Sequence, residues 1–252
     1  MNVLMATPVK KLSDDRLATF DHDYVSDAAF AMIRSHIDRD FPDGTFTFID
    51  VGGGKGFFTD RLLETYPRAT GVVLDNADLL LYQNRTHPRK RLVLGSGTDL
   101  QRLFPAERFD VAFFNFALHH FVGRSYGETR RLQRESLREA GKLLGPRGRI
   151  SVSEITYNGL LFDNLPSHVV FRLTSSRRMA RYVRKLGANT AGIGVCFLSR
   201  GAWKDAFRRV GFVPSIVSRE PAPSRRLHAQ ARLFAVGARD VSNTHFWLKP
   251  AG

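Results

Sequence analysis

The chain has 252 residues, and its 43% hydrophobic content is ample to bury a sheet on both faces, as one open α/β catalytic domain does. No uninterrupted apolar run of about 18 residues exists, which argues against a transmembrane helix. The single cysteine, Cys196, excludes an internal disulfide and a Cys-based zinc cluster. Met1 to Arg16 has no apolar stretch of signal-peptide length, so a reducing cytoplasm is the expected compartment. The formal net charge of +14 opens the question of an anionic partner such as nucleic acid.

Taken in chain order, Leu17, Phe20, Tyr24, Ala28, Ala31, Ile33 and Ile37 recur at helical spacing and predict a helix from about 12 to 41. Pro42-Asp43-Gly44 stops it, so residues 1–44 form a helical cap. Strand and helix patterns alternate from 45 to 155, as in a parallel, doubly wound sheet. Residues 156–198 break that pattern with turns around a helical stretch, Ser167 to Leu186, and read as an insertion roofing the sheet. A helix from Ser199 ending at Gly211 and two strands, near 212–218 and 231–238, complete the core over 199–240 as an antiparallel edge hairpin. Residues 241–252 read as a tail.

The most informative stretch is Phe48-Ile49-Asp50-Val51-Gly52-Gly53-Gly54-Lys55-Gly56, a strand feeding a glycine-rich turn. A second strand, Gly71-Val72-Val73-Leu74, ends in Asp75, placed to accept hydrogen bonds from a ribose or to cap the turn from Ala77 onward. Phe57 stands where a dinucleotide fingerprint needs its third glycine, and Lys55 is followed by Gly56 where a P-loop needs Ser or Thr. Asp50 would repel a pyrophosphate and suits a nucleoside cofactor carrying an amine or sulfonium cation.

At these residues the chain resembles the class I S-adenosylmethionine-dependent methyltransferases, whose first motif is D/E-x-G-x-G-x-G. The resemblance runs from about 46 to 155 and more weakly to 240. It takes in Tyr66-Pro67, Gly71 and Leu74-Asp75, the loop Leu94 to Leu100, the strand Phe109 to Asn115, and Leu143 to Glu154. It implies a Rossmann-like, seven-stranded, mostly parallel sheet with S-adenosylmethionine as cofactor. The cofactor residues it implies are Asp50, Gly52, Gly53, Gly54, Asp75, Asn76, Ser96, Gly97 and Asn115. Ser96 stands where many relatives carry an acid, so backbone contact through Gly97 is expected there.

Leu118-His119-His120-Phe121 is similar to the segment in which O-methyltransferases of hydroxy-aromatic compounds carry His-Asp-Trp, though without that group's N-terminal dimerisation domain. The similarity implies His119 as general base and Glu154 as the carboxylate that holds it; a histidine near its ordinary pKa of about 6.5 suits that task. Two histidines that only pack or cap a helix are the alternative, and a C-methylating enzyme would need no base. Tyr24, His120, His168 and Arg172 are the candidate substrate contacts.

Arg177, Arg181, Arg184 and Lys185 cluster on one side of the insertion's helix, as a carboxylate or phosphate site, an anionic membrane contact, or a solvated face. The expected activity is methyl transfer to a small molecule, with an O-methylated, hydroxylated or aromatic acceptor favoured and an acidic group on it allowed. RNA-directed transfer is one rival; Asn115-Phe116-Ala117-Leu118 lacks the N/D-P-P-Y/F motif of base-methylating enzymes. A fold that binds the cofactor without methyl transfer is the other. No catalytic metal is expected, since the carboxylates at 50, 75, 99 and 154 have other roles.

Overall fold

The computed structural model describes residues 9–10, 13, 17, 23–105, 108–185, 189–219 and 238–252. Seven strands form one sheet: β1 (Thr47–Val51), β2 (Thr70–Asp75), β3 (Lys90–Leu94), β4 (Phe109–Asn115), β5 (Leu144–Gly159), β6 (Phe212–Arg219) and β7 (Ala238–Pro250). Their spatial order is β3-β2-β1-β4-β5-β7-β6, as a Rossmann-like sheet requires. The first five are parallel, and β7 runs antiparallel to both β5 and β6. The strand order, not the strand direction, reverses between β1 and β4, so their carboxyl ends open the crevice where open α/β sheets bind ligands.

Helix α1 (Asp27–Asp40) begins where the Ser26 side chain accepts from the Ala29 N–H. The expected single helix from about 12 is broken: Leu17 is helical, Asp23 to Ser26 are not, and most of 11–22 lies outside the described residues. With α2 (Phe57–Thr65), α1 covers one face of the sheet through Ile33, Ile37, Phe58 and Leu62 packed on Phe48, Phe113 and Trp247. The short helices α3 (Asp78–Leu81) and α4 (Leu100–Leu103) follow β2 and β3. Helices α5 (Tyr126–Lys142) and α8 (Arg200–Arg208) cover the other face, where Leu137, Trp203 and Phe207 meet Phe114, Ile150 and Phe246.

The segment 241–252 is not a tail. β7 is the inner strand of the edge pair, with Phe246, Trp247 and Leu248 fully buried. The expected strand at 231–238 falls almost wholly outside the described residues; the strand that pairs with β6 starts at Ala238. β5 also continues past Glu154 to Gly159, so the insertion starts as sheet. Its helical part is two pieces, α6 (Leu165–Ser175) and α7 (Ala180–Lys185), instead of one helix from 167 to 186.

Candidate active site

A cavity of about 500 Å³ opens over the carboxyl ends of β1, β2 and β4, within the range of small-molecule sites. Its floor is the glycine turn. Gly52 and Gly54 sit at φ of 76° and 53°, a region that disfavours any residue with a β-carbon. A Cβ on Gly53 would meet Asp50 Oδ2 at 2.7 Å, and one on Gly97 would meet Val51 at 2.7 Å. Both glycines are therefore needed for the packing of the rim as well as for ligand approach.

Asp75 ends β2 with its carboxylate at the rim. Oδ2 accepts from the Gly54 N–H and Oδ1 from the Ala77 N–H, each at 2.9 Å. The carboxylate thus ties the glycine turn to β2 and also caps the chain beyond it, which is the capping reading of Asp75. We expect Asp75→Ala to weaken S-adenosylhomocysteine binding by about 1.5–3 kcal/mol, the scale of hydrogen bonds to a charged group. Calorimetry on the folded variant checks this, and unchanged affinity would remove Asp75 from the cofactor site.

Asp50, at the end of β1, is 1% exposed and accepts from the Thr59 hydroxyl at 3.0 Å. Burial pushes its pKa up to about 7 against the opposing Thr59 hydrogen bond, with the charges of Asp23 and Asp75 adding to the rise. A raised carboxyl pKa contributes stability below the unfolded value that is lost as pH rises through the folded one. The apoprotein should accordingly lose stability relative to Asp50→Asn from the ordinary 3.8 up to about 7, and no more above it. A cationic ligand favours the ionised form, so wild-type affinity for S-adenosylmethionine should rise over that window. Melting temperatures and titrations across the window test both statements; identical pH profiles for the two proteins would contradict them.

Asn115 ends β4 with its buried amide beside Asp50, where it helps to hold the Asp50 pKa down. An amide that can donate to a carboxylate and accept from an ammonium, next to a carboxylate suited to a cation, fits the amino-acid end of S-adenosylmethionine. The Ser96 hydroxyl lies 2.9 Å from that of Thr98. Asp50, Gly52, Gly53, Gly54, Asp75, Asn76, Ser96, Gly97 and Asn115 all line this one cavity.

Beyond Asn115 the chain turns sharply. Phe116 adopts φ of 53°, the one described non-glycine residue with positive φ, and its N–H donates to Ser153 O across the sheet. Such backbone strain persists only where surroundings enforce it. Here the turn delivers the 3-10 segment Leu118–His120 to the cavity. Fully buried Glu154 accepts from His119 Nδ1 at 2.7 Å and from the His119 backbone N–H at 3.2 Å. An ionised carboxylate only accepts, so Nδ1 is the donor of this pair and Nε2 is the ring nitrogen it leaves over. His119 lines the cavity and Glu154 does not, which makes Glu154 a positioning residue.

The substrate contacts divide. Tyr24 and His120 line the cavity. The His120 ring lies 4.1 Å from that of His119, and burial with that neighbour holds its pKa well below the usual histidine range, so it is neutral. His168 and Arg172 are exposed and do not line the cavity; His168 stacks on Tyr126 at 3.7 Å. Val170 and Thr174 of the same helix do line it. Two residues turn a helix through about 200°, which puts 168 and 172 on the opposite side.

Sequence reasoning missed the upper wall. Phe197 lies 4.7 Å from His119 and stacks on Tyr157 at 5.0 Å, giving an aromatic wall beside that histidine. Burial pushes the Tyr157 hydroxyl up to about 12. Lys10 also faces the cavity, held by Ile193 O at 3.2 Å.

Residues 49–152 match the methyltransferase domain family. No curated protein matches the sequence. Among solved structures, the cyclopropane synthase MmaA2 from Mycobacterium tuberculosis is 18% identical, with 94% of each chain covered and a TM-score of 0.59. The cyclase SpnF is 15% identical over 92% of this chain and 86% of its own, at a TM-score of 0.60. An O-methyltransferase family protein from Burkholderia thailandensis is 17% identical over 90% of this chain but 58% of its own, at 0.51. At these identities the likeness is one of fold.

Proposed function

We propose, from a chain that carries a class I S-adenosylmethionine-dependent methyltransferase domain, that it methylates a hydroxyl of a small, largely apolar acceptor, an aromatic one fitting best. The observation that carries this reading is the His119–Glu154 pair, with its remaining ring nitrogen beside the cavity wall of Tyr157 and Phe197. A phenolic or alcoholic oxygen must lose its proton to become an effective nucleophile, and Nε2 of a Glu-held neutral histidine is built to take it. Carbon acceptors without an acidic proton would not use that group.

When bound, S-adenosylmethionine supplies an already activated methyl group, so the protein's tasks are alignment and proton removal. Asp75 and the glycine turn would hold the nucleoside end, with Asn115 and Asp50 at the amino-acid end. His119 accepts the acceptor's proton at Nε2, and Glu154 fixes the ring and favours the imidazolium that results. Lys10 and Lys55 both line the cavity, and Lys10 is the one we assign to an acidic group on the acceptor. The single Cys196 is buried, and burial pushes its thiol up to about 11, so it suits a reducing compartment and takes no nucleophilic part. Among the described residues no helix is long and apolar enough to cross a membrane.

The test is transfer of isotope-labelled methyl from S-adenosylmethionine to a panel of phenolic and aliphatic hydroxy compounds, with and without a carboxylate. Labelled methyl ether product supports the reading. Labelled carbon–methyl product, or cofactor binding with no transfer to any acceptor, would contradict it. The second outcome would favour a non-methylating reaction in this cavity, as the cyclase SpnF illustrates for the fold.

A further inference from the structure

The lid over the cavity has an outer face that the proposed chemistry leaves unused. Where β5 turns into α6, Leu161 and Phe162 are 86% and 70% exposed, and Leu160 beside them is also out in solvent. The turn is a fixed one: the Gly159 N–H donates to Asp163 O and the Leu165 N–H to Phe162 O. Three large apolar side chains are therefore held in water by a defined backbone, which soluble surfaces generally avoid. Along α6, exposed Leu165, His168 and Arg172 continue this face at helical spacing, opposite the Val170 and Thr174 that line the cavity.

The same face then becomes strongly basic. Arg177 and Arg178 flank exposed Met179, and α7 presents Arg181, Tyr182, Arg184 and Lys185 outward around a fully buried Val183. No carboxylate pairs with these cations among the described residues. From Asn164 to Lys204 the sequence holds eight Lys or Arg and no Asp or Glu, so this stretch carries more than half of the net +14. Charge alone would serve any polyanion. A protruding Leu-Leu-Phe tip beside the arginines, with a tyrosine and a methionine among them, is what an interface between headgroups and acyl chains rewards.

We propose that this outer lid face docks the protein on an anionic lipid bilayer, with Leu160, Leu161 and Phe162 entering the acyl boundary and the α7 cations on the headgroups. The lid's inner side is the cavity wall, so docking sets the cavity beside acceptors dissolved in the bilayer. The proposal stands independently of the acceptor atom and of the role of His119.

Flotation of the full-length protein with vesicles tests it, comparing phosphatidylcholine containing phosphatidylglycerol with phosphatidylcholine alone. The protein should partition onto the anionic vesicles and be released by high salt. The triple variant Arg177→Gln/Arg181→Gln/Arg184→Gln should lose affinity by roughly 100-fold, at about fivefold per cation near an anionic leaflet. Leu161→Ser/Phe162→Ser should lose about tenfold or more through lost apolar burial. All five side chains lie outside the cavity, so melting temperature and S-adenosylhomocysteine affinity should hold and would certify both variants. Absence of binding to anionic vesicles would overturn the proposal. So would vesicle binding that ignores the Leu161/Phe162 change while polyglutamate competes for it, which would point to an acidic macromolecule instead.

Discussion

His119→Ala should lower methyl transfer to a hydroxylated acceptor by about 10²-fold or more, the range of a lost general base, while affinity for S-adenosylhomocysteine stays at the wild-type level. The two readouts separate because the nucleoside end of the cavity is built from Asp75 and the glycine turn, which His119 does not touch in any hydrogen bond described above. Glu154→Gln distinguishes a base from a packing residue. A glutamine can present its NH₂ to Nδ1 and so permit the other tautomer, with the proton on Nε2. Turnover should fall in that variant and its pH profile should move, although shape and volume are nearly kept. Wild-type rates in both variants, measured on folded protein, would reduce the pair to a buried structural contact.

Trp247→Ala should destabilise the fold by about 3–5 kcal/mol, the cost of removing a fully buried aromatic side chain. Trp247 is 0% exposed and packs against the α1 face of the sheet. Its indole Nε1 donates to Asp40 Oδ2 at 2.9 Å, an oxygen that also receives Arg149 Nε at 2.7 Å. Against its partial burial, hydrogen bonds from Arg39, Trp247 and Arg149 hold the Asp40 carboxyl down at about 2. One residue near the chain's end thus ties α1, β5 and β7 together. Denaturant titration measures the effect, and a loss under 1 kcal/mol, the scale of an ordinary surface change, would contradict the burial of β7.

The comparison of Trp247 with Asp75 shows what the sequence made legible. The glycine turn, Asp75 and Asn115 are local: each follows a strand whose apolar run is continuous because both faces are buried, so motif and element announce each other. β7 hides its nature. Ser242, Asn243, Thr244 and His245 interrupt the apolar alternation, yet Ser242, Thr244 and His245 are buried. Their polarity is satisfied across strands, where the Thr156 hydroxyl meets Ser242 and Thr244, and Ser151 meets His245. A composition-based reading takes such a run for surface.

The acceptor side of the cavity was illegible for another reason. Lys10, Tyr157, Val170 and Phe197 come from four distant segments and meet only through the fold. The helical spacing in α6 was readable, but not which of its sides faces inward, so His168 and Arg172 were placed on the cavity when Val170 and Thr174 occupy it. Tyr157 had a signal: β-type residues continue from Ile155 to Tyr157 past the expected end of the fifth strand. Phe197 had none.

The most direct test of the account is calorimetric titration of the purified protein with S-adenosylhomocysteine, with NAD as the control. The geometry of Asp50, Asp75, Asn115 and the glycine turn predicts micromolar binding of the first and none of the second. Failure to bind S-adenosylhomocysteine, or equal binding of NAD, would contradict the assignment of this cavity to the methyl donor.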